Sequence, residues 1–189
     1  GTLVVLEDPT ERLRAALAEN GVDRSPATVA AAFRAEAAHY RPRSLRGRDG
    51  ASLDALRVEC AGVFLEHARA GLDPRAFVPA FMAAIRFRPA EGARSALAAL
   101  GAAGLELACV ANWDVSLHEQ LERLGLDSPF HTILSSAEAG VEKPDPGVFR
   151  IVLSRLGVEP ARALHPGDET VGEEGASAAG LAVQPAPLA

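Results

Sequence analysis

The pattern of hydrophobic residues changes once along this chain, near residue 88, and that change limits the folds available to it. Before it, residues of about 9 to 87 repeat apolar positions at helical spacing, with no convincing strand. After it, helical segments alternate with the short apolar runs LELACVAN, FHTILSS, ARALHPGD and LAVQP. Strands that alternate with helices at this spacing form right-handed βαβ units. The sequence therefore predicts an α/β fold with a parallel sheet covered by helices on both faces.

Polar residues gather directly behind three of the predicted strands. They lie in the segments VANWD at 110–114, SSAEAGVEKPDP at 135–146 and HPGDE at 165–169. In sheets of this kind, ligands bind at the carboxyl ends of the strands. These three segments are therefore the candidates for a functional site.

The third segment carries carboxylates that suit a hard cation. Asp168 and Glu169 follow a predicted strand, and Glu173 and Glu174 come one helical turn later. Mg²⁺ prefers oxygen ligands and keeps several waters, so one or two carboxylates together with a substrate phosphate suffice to bind it. Glu173 and Glu174 would also suit a helix N-terminus in the absence of any ligand. Asp168, directly after Gly167, is the best-placed metal ligand.

The other two segments offer groups that would bind an anion. Lys143 is the only lysine among the 19 basic residues, and Pro144 favours an extended backbone at Lys143. Its ammonium could neutralise a phosphate or a carboxylate nucleophile. Asn112 precedes a helix N-terminus, where anions are favoured, and its amide could donate to a phosphate oxygen. The alternatives are a solvated surface lysine and an asparagine that only supports a turn.

Composition excludes several classes of protein. The net charge is −6 and no basic stripe is visible, which is unlike a nucleic-acid binder. No signal peptide and no uncharged run of eighteen apolar residues is present, so no membrane partner is expected. Cys60 and Cys109 form no CxxC pair and lie in apolar stretches. They are typical of small buried hydrophobic residues in a reducing, cytoplasmic protein.

Four segments together resemble the haloacid dehalogenase (HAD) superfamily. They are GTL at the start, VANWD, SSAEAGVEKPDPGVF at 135–149 and HPGDE…EEGASAAGL at 165–181, and their order and spacing match over nearly the whole chain. The resemblance implies a HAD-like α/β core with a Rossmann-like parallel sheet, formed by residues 1–8 and 88–189. Residues 9–87 would then be an α-helical cap inserted after the first strand.

The resemblance also implies a reaction, most often Mg²⁺-dependent hydrolysis of a phosphate monoester. In the family, an aspartate of a DxDGT-like motif attacks phosphorus to form an aspartyl-phosphate, which water then hydrolyses. Lys143 matches the lysine that screens the nucleophile and the phosphoryl charge, and Asp168 matches the metal-binding acid. The remaining site residues implied are Glu169 and Glu173 as metal ligands, and Asn112, the backbone of Ala111 and Thr2 as phosphate contacts.

The chain departs from the family pattern at three points. Gly1 matches the tail of the first motif, so the attacking aspartate and its central strand are expected upstream, with the aspartate three residues before Gly1. Ala111 stands where the second motif has a hydroxyl residue. The second acid of the last motif is ambiguous, because counting forward from Asp168 reaches Glu173, whereas counting back from Gly175 reaches Gly172.

Two other functions remain open at this stage. A haloacid dehalogenase uses the same aspartate on carbon without a metal, although the acidic residues 168–174 disfavour it. A catalytically inactive HAD-fold binding or regulatory protein is favoured by Ala111 and by the ambiguous position of the second acid in the last motif. For the phosphatase, the expected partner is a small phosphorylated metabolite, and the expected state is a monomer or weak homodimer. The substrate itself is not indicated.

Overall fold

The computed structural model describes residues 2–167 and 170–185 of the chain. Two compact units are present: Leu6–Arg86 forms one, and Gly1–Val5 together with Phe87–Ala189 forms the other. The chain passes between them at strands β1 (Val4–Leu6) and β2 (Phe87–Pro89), which pair with each other.

Two hydrogen bonds at the ends of this pair fix the direction of its strands. The N–H of Ala90 donates to the C=O of Leu3 at 2.8 Å, and the N–H of Glu7 donates to the C=O of Arg86 at 2.9 Å. As residue numbers rise on one strand they fall on the other, so β1 and β2 are antiparallel.

The unit Leu6–Arg86 is helical over most of its length. Ser25 is the N-cap of its second helix, and its hydroxyl accepts the N–H of Thr28 at 3.2 Å. A capping box of Asp49 and Ser52 begins the third helix. The helices are α1 (Thr10–Glu19), α2 (Pro26–Tyr40), a 3₁₀ helix (Arg41–Arg46), α3 (Gly50–His67) and α4 (Pro74–Ala84).

This helical unit has a core of its own. The rings of Phe64 and Phe77 are stacked with centroids 6.1 Å apart, and Phe81 packs against Phe64 at 5.3 Å. All three side chains are buried, and the cluster around them is drawn from residues 13 to 84. No helix among the described residues is long and apolar enough to cross a membrane.

The other unit contains the predicted parallel strands. β3 (Ala108–Ala111) pairs in parallel with β4 (Thr132–Ser135), and β5 (Leu164–Gly167) pairs in parallel with β6 (Ala182–Pro185). Within the described residues these are two separate pairs and not one continuous sheet. The helices are α5 (Ala93–Ala102), α6 (Leu117–Arg123), α7 (Ser136–Ala139), α8 (Gly147–Leu156), a 3₁₀ helix (Pro160–Arg162) and α9 (Thr170–Ala178).

Helices cover both faces of the β3–β4 pair. Cys109 on β3 packs with Leu97 of α5 and Leu121 of α6 on one face. Leu134 on β4 packs with Val148 of α8 and Ala176 of α9 on the other. The predicted α/β fold with parallel strands covered on both sides is therefore confirmed.

Four short elements were not predicted. The sequence predicts helices on both sides of residue 88, whereas β2 lies there and α5 begins only at Ala93. The four-residue helix α7 and the two 3₁₀ helices, Arg41–Arg46 and Pro160–Arg162, lie where the sequence predicts connections or the start of a strand. Elements of three to six residues are too short to give a hydrophobic period, so their absence from the prediction has a simple physical cause.

Candidate active site

The ends of strands β3 and β5 meet around Lys143. The backbone of Lys143 is hydrogen-bonded to Asn112, the first residue after β3. Its ammonium reaches the start of α9, the helix that follows β5, because a methyl group built on Gly172 would lie 3.7 Å from Lys143 Nζ. Lys143 also interacts electrostatically with His165 of β5, so the described parts of the three segments lie at the same edge of the fold.

Asn112 uses both ends of its side-chain amide to hold Lys143. Its Nδ2 donates to the C=O of Lys143 at 3.0 Å, and the N–H of Lys143 donates to its Oδ1 at 2.9 Å. An asparagine amide has two hydrogens, and within residues 2–167 and 170–185 only one of them is used. The residue predicted to contact phosphate therefore binds the backbone of the residue predicted to neutralise it.

The next residue, Trp113, is fixed in a similar way by Ser136 at the end of β4. The N–H of Trp113 donates to Ser136 Oγ at 3.0 Å, and that hydroxyl donates to the C=O of Trp113 at 3.1 Å. Ser136 is fully buried. In the β3–β4 register Ala111 faces Ser135, so these side-chain hydrogen bonds join the two segments just beyond the last paired residues.

The turn that carries Lys143 packs closely against α9. A methyl group built on Gly175 would lie 2.8 Å from the carbonyl oxygen of Pro144 and 3.0 Å from the ring of Phe149. Contacts that short to a backbone atom leave no room for any side chain at residue 175. Asp145 completes the turn, because its Oδ1 accepts the N–H of Gly147 at the start of α8 at 2.7 Å.

His165, on β5, is a site residue that the sequence patterns did not single out. Its ring makes an edge contact with Phe149, with centroids 5.0 Å apart. Its Nε2 is buried and has no hydrogen-bond partner among the described residues, and methyl groups built on Gly167 and Gly172 would lie 2.8 and 2.9 Å from it. Burial and the nearby Lys143 ammonium lower the pKa of His165 to about 4. The imidazole is therefore neutral at physiological pH.

The predicted metal ligands are only partly within the described residues. Asp168 and Glu169 lie outside them. Glu173 is half-buried in the first turn of α9, beside the face of that helix that carries Gly172 and Gly175. Within residues 2–167 and 170–185, no three His, Cys, Asp or Glu side chains form a metal-binding group. A carboxylate of the type that Mg²⁺ prefers does follow β5 closely.

The other predicted contacts are arranged as follows. Ala111 is the last residue of β3 and pairs with Ser135, so its backbone lies one residue from Asn112. Thr2 is exposed just before β1, and the bonds between Asn112 and Lys143 do not involve it. Cys109 faces the core, where burial raises the pKa of its thiol to about 11, so it stays protonated and is not a nucleophile.

The described part of this site is suited to an anion. It combines the Lys143 ammonium, the free amide hydrogen of Asn112 and a neutral imidazole at the carboxyl ends of parallel strands. A cation and preorganised amide donors stabilise negative charge that develops on a bound group. Metal binding would have to come from the carboxylates that follow β5.

Comparison with known proteins gives the site a context. Residues 78–185 match the model of the haloacid dehalogenase-like hydrolase family. The chain is 42% identical over 92 residues to haloacid dehalogenase-like hydrolase domain-containing protein 3 of Mus musculus. This match covers 48% of this chain and 37% of that protein. It is 44% identical over 64 residues to glyceraldehyde 3-phosphate phosphatase of Methanopyrus kandleri, covering 33% of this chain and 28% of that protein. The chain therefore matches less than half the length of these curated relatives.

A solved structure resembles nearly the whole chain. L-2-haloacid dehalogenase from Xanthobacter autotrophicus superposes with a TM-score of 0.64 over 97% of this chain and 72% of that one, at 24% identity. At that identity the likeness concerns the fold alone. The family match covers more than half of the 189 residues and includes all the strand-end segments. The chain belongs to the haloacid dehalogenase-like hydrolase family.

Proposed function

We propose that the protein is a Mg²⁺-dependent phosphate monoester hydrolase that acts on a small phosphorylated metabolite. The observation that carries this proposal is the pairing of Asn112, directly after β3, with Lys143, the chain's only lysine, whose ammonium lies beside the start of α9. A relative of the chain carries the name glyceraldehyde 3-phosphate phosphatase, and this supports a phosphate ester over other hydrolase substrates.

In the proposed reaction, an aspartate three residues before Gly1 attacks phosphorus. A bond forms between its carboxylate oxygen and phosphorus while the ester P–O bond breaks, and the leaving alcohol takes up a proton. Water then attacks the aspartyl-phosphate and releases inorganic phosphate. Lys143 neutralises the charge on the carboxylate and the phosphoryl group. Thr2, the backbone of Ala111 and the free amide hydrogen of Asn112 bind the phosphoryl oxygens.

The metal in this proposal would be held by the carboxylates that follow β5, namely Asp168 together with Glu169 or Glu173. Bound Mg²⁺ would supply a positive charge that neutralises phosphate oxygens. The half-buried Glu173 beside the Gly172–Gly175 face of α9 supports this choice of donors. The helical residues 9–87 act as the cap that selects the substrate.

The test is hydrolysis of 4-nitrophenyl phosphate by the chain extended with the residues that precede Gly1 in its gene. We expect activity with Mg²⁺ and none with EDTA. Replacing Lys143 by methionine should lower kcat/KM about 10²–10³-fold, because one charge that stabilises the transition state is lost. Lys143→Arg should retain part of the activity. Arg150→Ala, at an exposed cation on α8, is the matched control and should be neutral.

Two results would contradict this proposal, and each would favour a different function. Metal-independent release of halide from an L-2-haloacid, without phosphatase activity, would favour a dehalogenase. A residue other than aspartate three positions before Gly1, with no turnover across a broad panel of phosphate esters, would favour a catalytically inactive binding or regulatory domain.

A further inference from the structure

We propose that Asn112 is a positioning residue for Lys143, and that it acts by pairing with both backbone polar groups of that residue. The inference about geometry stands by itself, whereas its consequence for phosphate binding rests on the proposed function. It assigns Asn112 a role that does not require contact with the substrate.

The first argument is the two-point geometry. The C=O of Lys143 accepts from Asn112 Nδ2 at 3.0 Å, and its N–H donates to Asn112 Oδ1 at 2.9 Å. A single hydrogen bond would allow the turn to rotate about it. Two bonds to the same residue, with opposite donor direction, fix both the position and the orientation of the Lys143 backbone.

The second argument is that Asn112 is itself fixed. Ala111, the residue before it, pairs with Ser135 in the β3–β4 register. Trp113, the residue after it, exchanges two hydrogen bonds with the buried hydroxyl of Ser136. The backbone of Asn112 is therefore held on both sides, so its amide transmits the position of β3 to Lys143.

The third argument is that α9 supports the same turn from a different direction. The backbone of Gly175 packs against the carbonyl of Pro144, and a methyl group built on Gly175 would lie 2.8 Å from that oxygen. The Lys143–Pro144 segment is therefore held by Asn112 after β3 and by the surface of α9.

The functional consequence concerns the long lysine side chain. A lysine side chain has considerable rotamer entropy, which opposes holding its ammonium at one place. A mobile backbone would add to this freedom and spread the charge over a larger volume. Because Asn112 fixes the backbone, only the side-chain torsions remain to be ordered when an anion binds.

The chain offers a direct probe of this arrangement, because Lys143 is its only lysine. Reductive methylation with ¹³C-formaldehyde labels Lys143 and the N-terminal amine, and it leaves the positive charge in place. We expect the dimethyl-Lys143 signal of the unmodified sequence to be distinct from that of a free dimethyl-lysine peptide. We expect it to shift on titration with inorganic phosphate.

Asn112→Ala should move the dimethyl-Lys143 signal to the free-peptide position and weaken the phosphate response at least tenfold. The matched control is Asn20→Ala, because Asn20 Nδ2 also donates to a backbone carbonyl, that of Ala16, at 2.9 Å. This control removes a comparable bond in the helical unit and should leave the signal unchanged. Gly175→Ala, which displaces Pro144, should move the signal in the same direction as Asn112→Ala.

Asn112→Asp provides a test that a general loss of stability would not reproduce. The ionised carboxylate cannot donate to the Lys143 carbonyl, whereas the protonated acid can both donate and accept, as asparagine does. The signal should therefore differ from that of the unmodified sequence at pH 8 and return towards it as the pH falls towards about 3.9, the ordinary pKa of an aspartic acid, with the unmodified sequence recorded at the same pH values. Circular dichroism at both pH values checks the fold, and this variant decides the question if Asn112→Ala does not fold.

The proposal is overturned if Asn112→Ala and Asn112→Asp leave the Lys143 signal where the Asn20→Ala control leaves it. A signal that moves as expected in these variants but never responds to phosphate would keep the positioning role and contradict the proposed phosphatase. The two failures are therefore distinguishable.

Discussion

The imidazole of His165 gives the α/β unit a dependence on pH. Its pKa in the folded protein is lowered to about 4 from an ordinary value of 6.5, first by burial and then by the Lys143 ammonium. The unfolded chain therefore binds more protons than the folded chain between these values. It follows that His165 favours folding fully above pH 6.5, and that this contribution is lost as the pH falls towards 4.

We predict that His165→Leu removes this dependence. Leucine has no titrating group and keeps an apolar contact with Phe149, so the free energy of unfolding of the variant should fall less steeply between pH 6.5 and 4. Urea unfolding at half-unit pH steps measures the difference. His131→Leu, at an exposed position, serves as the control, and this variant should keep the slope of the original chain. Equal slopes for the two variants would contradict the role of His165.

At this same scale, the sequence predicted which residues would meet but not how they would meet. Asn112 and Lys143 were expected at one edge because the carboxyl ends of parallel strands converge. The hydrogen bonds between the Asn112 side chain and the Lys143 backbone depend on the shape of the turn at Pro144. No hydrophobic pattern encodes that shape. The close approach of Gly167 and Gly172 to the His165 ring is likewise not visible in the sequence. Contacts of this kind arise from tertiary packing and not from local sequence.

At the scale of elements, the longer helices and the parallel strands follow from the sequence. β3 and β4 lie within the apolar runs LELACVAN and FHTILSS, and α8 begins directly after Pro146. The short strand β2 escaped prediction because its partner, β1, lies about eighty residues earlier, and pairing across such a distance leaves no local periodicity. The separation of the β3–β4 and β5–β6 pairs, as seen in the described part of the chain, likewise leaves no sign in local sequence patterns.

Helix α2 carries a buried acid whose effect on stability can be measured. Glu36 is 5% exposed, and burial raises its pKa from 4.5 to about 7 although the Cys60 thiol donates a hydrogen bond to it. The folded chain therefore binds more protons than the unfolded chain between pH 4.5 and 7. It follows that Glu36 lowers stability progressively as the pH rises through that range, which is opposite in sign to His165.

We predict that Glu36→Gln stabilises the helical unit above pH 7 by about 1–3 kcal/mol, since the uncharged amide avoids the cost of burying a carboxylate. Below pH 4.5, where Glu36 is protonated in both states, the advantage should vanish. Thermal and urea unfolding at pH 4.5 and 8 provide the measurement. Glu66→Gln, at an exposed position on α3, should change stability little at either pH. An advantage of Glu36→Gln that is the same at both pH values would point to a cause other than ionisation.

At the scale of the whole molecule, each unit has its own core. The aromatic cluster of Phe64, Phe77 and Phe81 lies entirely within Leu6–Arg86, and the clusters around β3, β4 and α8 draw on the other unit alone. The two ends of the helical unit are also adjacent, because the N–H of Glu7 donates to the C=O of Arg86. A segment with a complete core and adjacent ends has the properties of an inserted domain.

We therefore predict that residues 6–86 fold when expressed alone. The excised segment should show helical circular dichroism and a single cooperative urea transition, because the contacts that form its core all survive excision. It should also keep the effect of Glu36→Gln at pH 8, since the burial of that carboxyl group is internal to the unit. Phe64→Ala is the control for specific packing, and it should cost about 3–5 kcal/mol because it removes a fully buried ring. A broad, non-cooperative transition that Phe64→Ala leaves unchanged would mean that the helical unit depends on the α/β unit for its fold, and that residues 9–87 are not an independent domain.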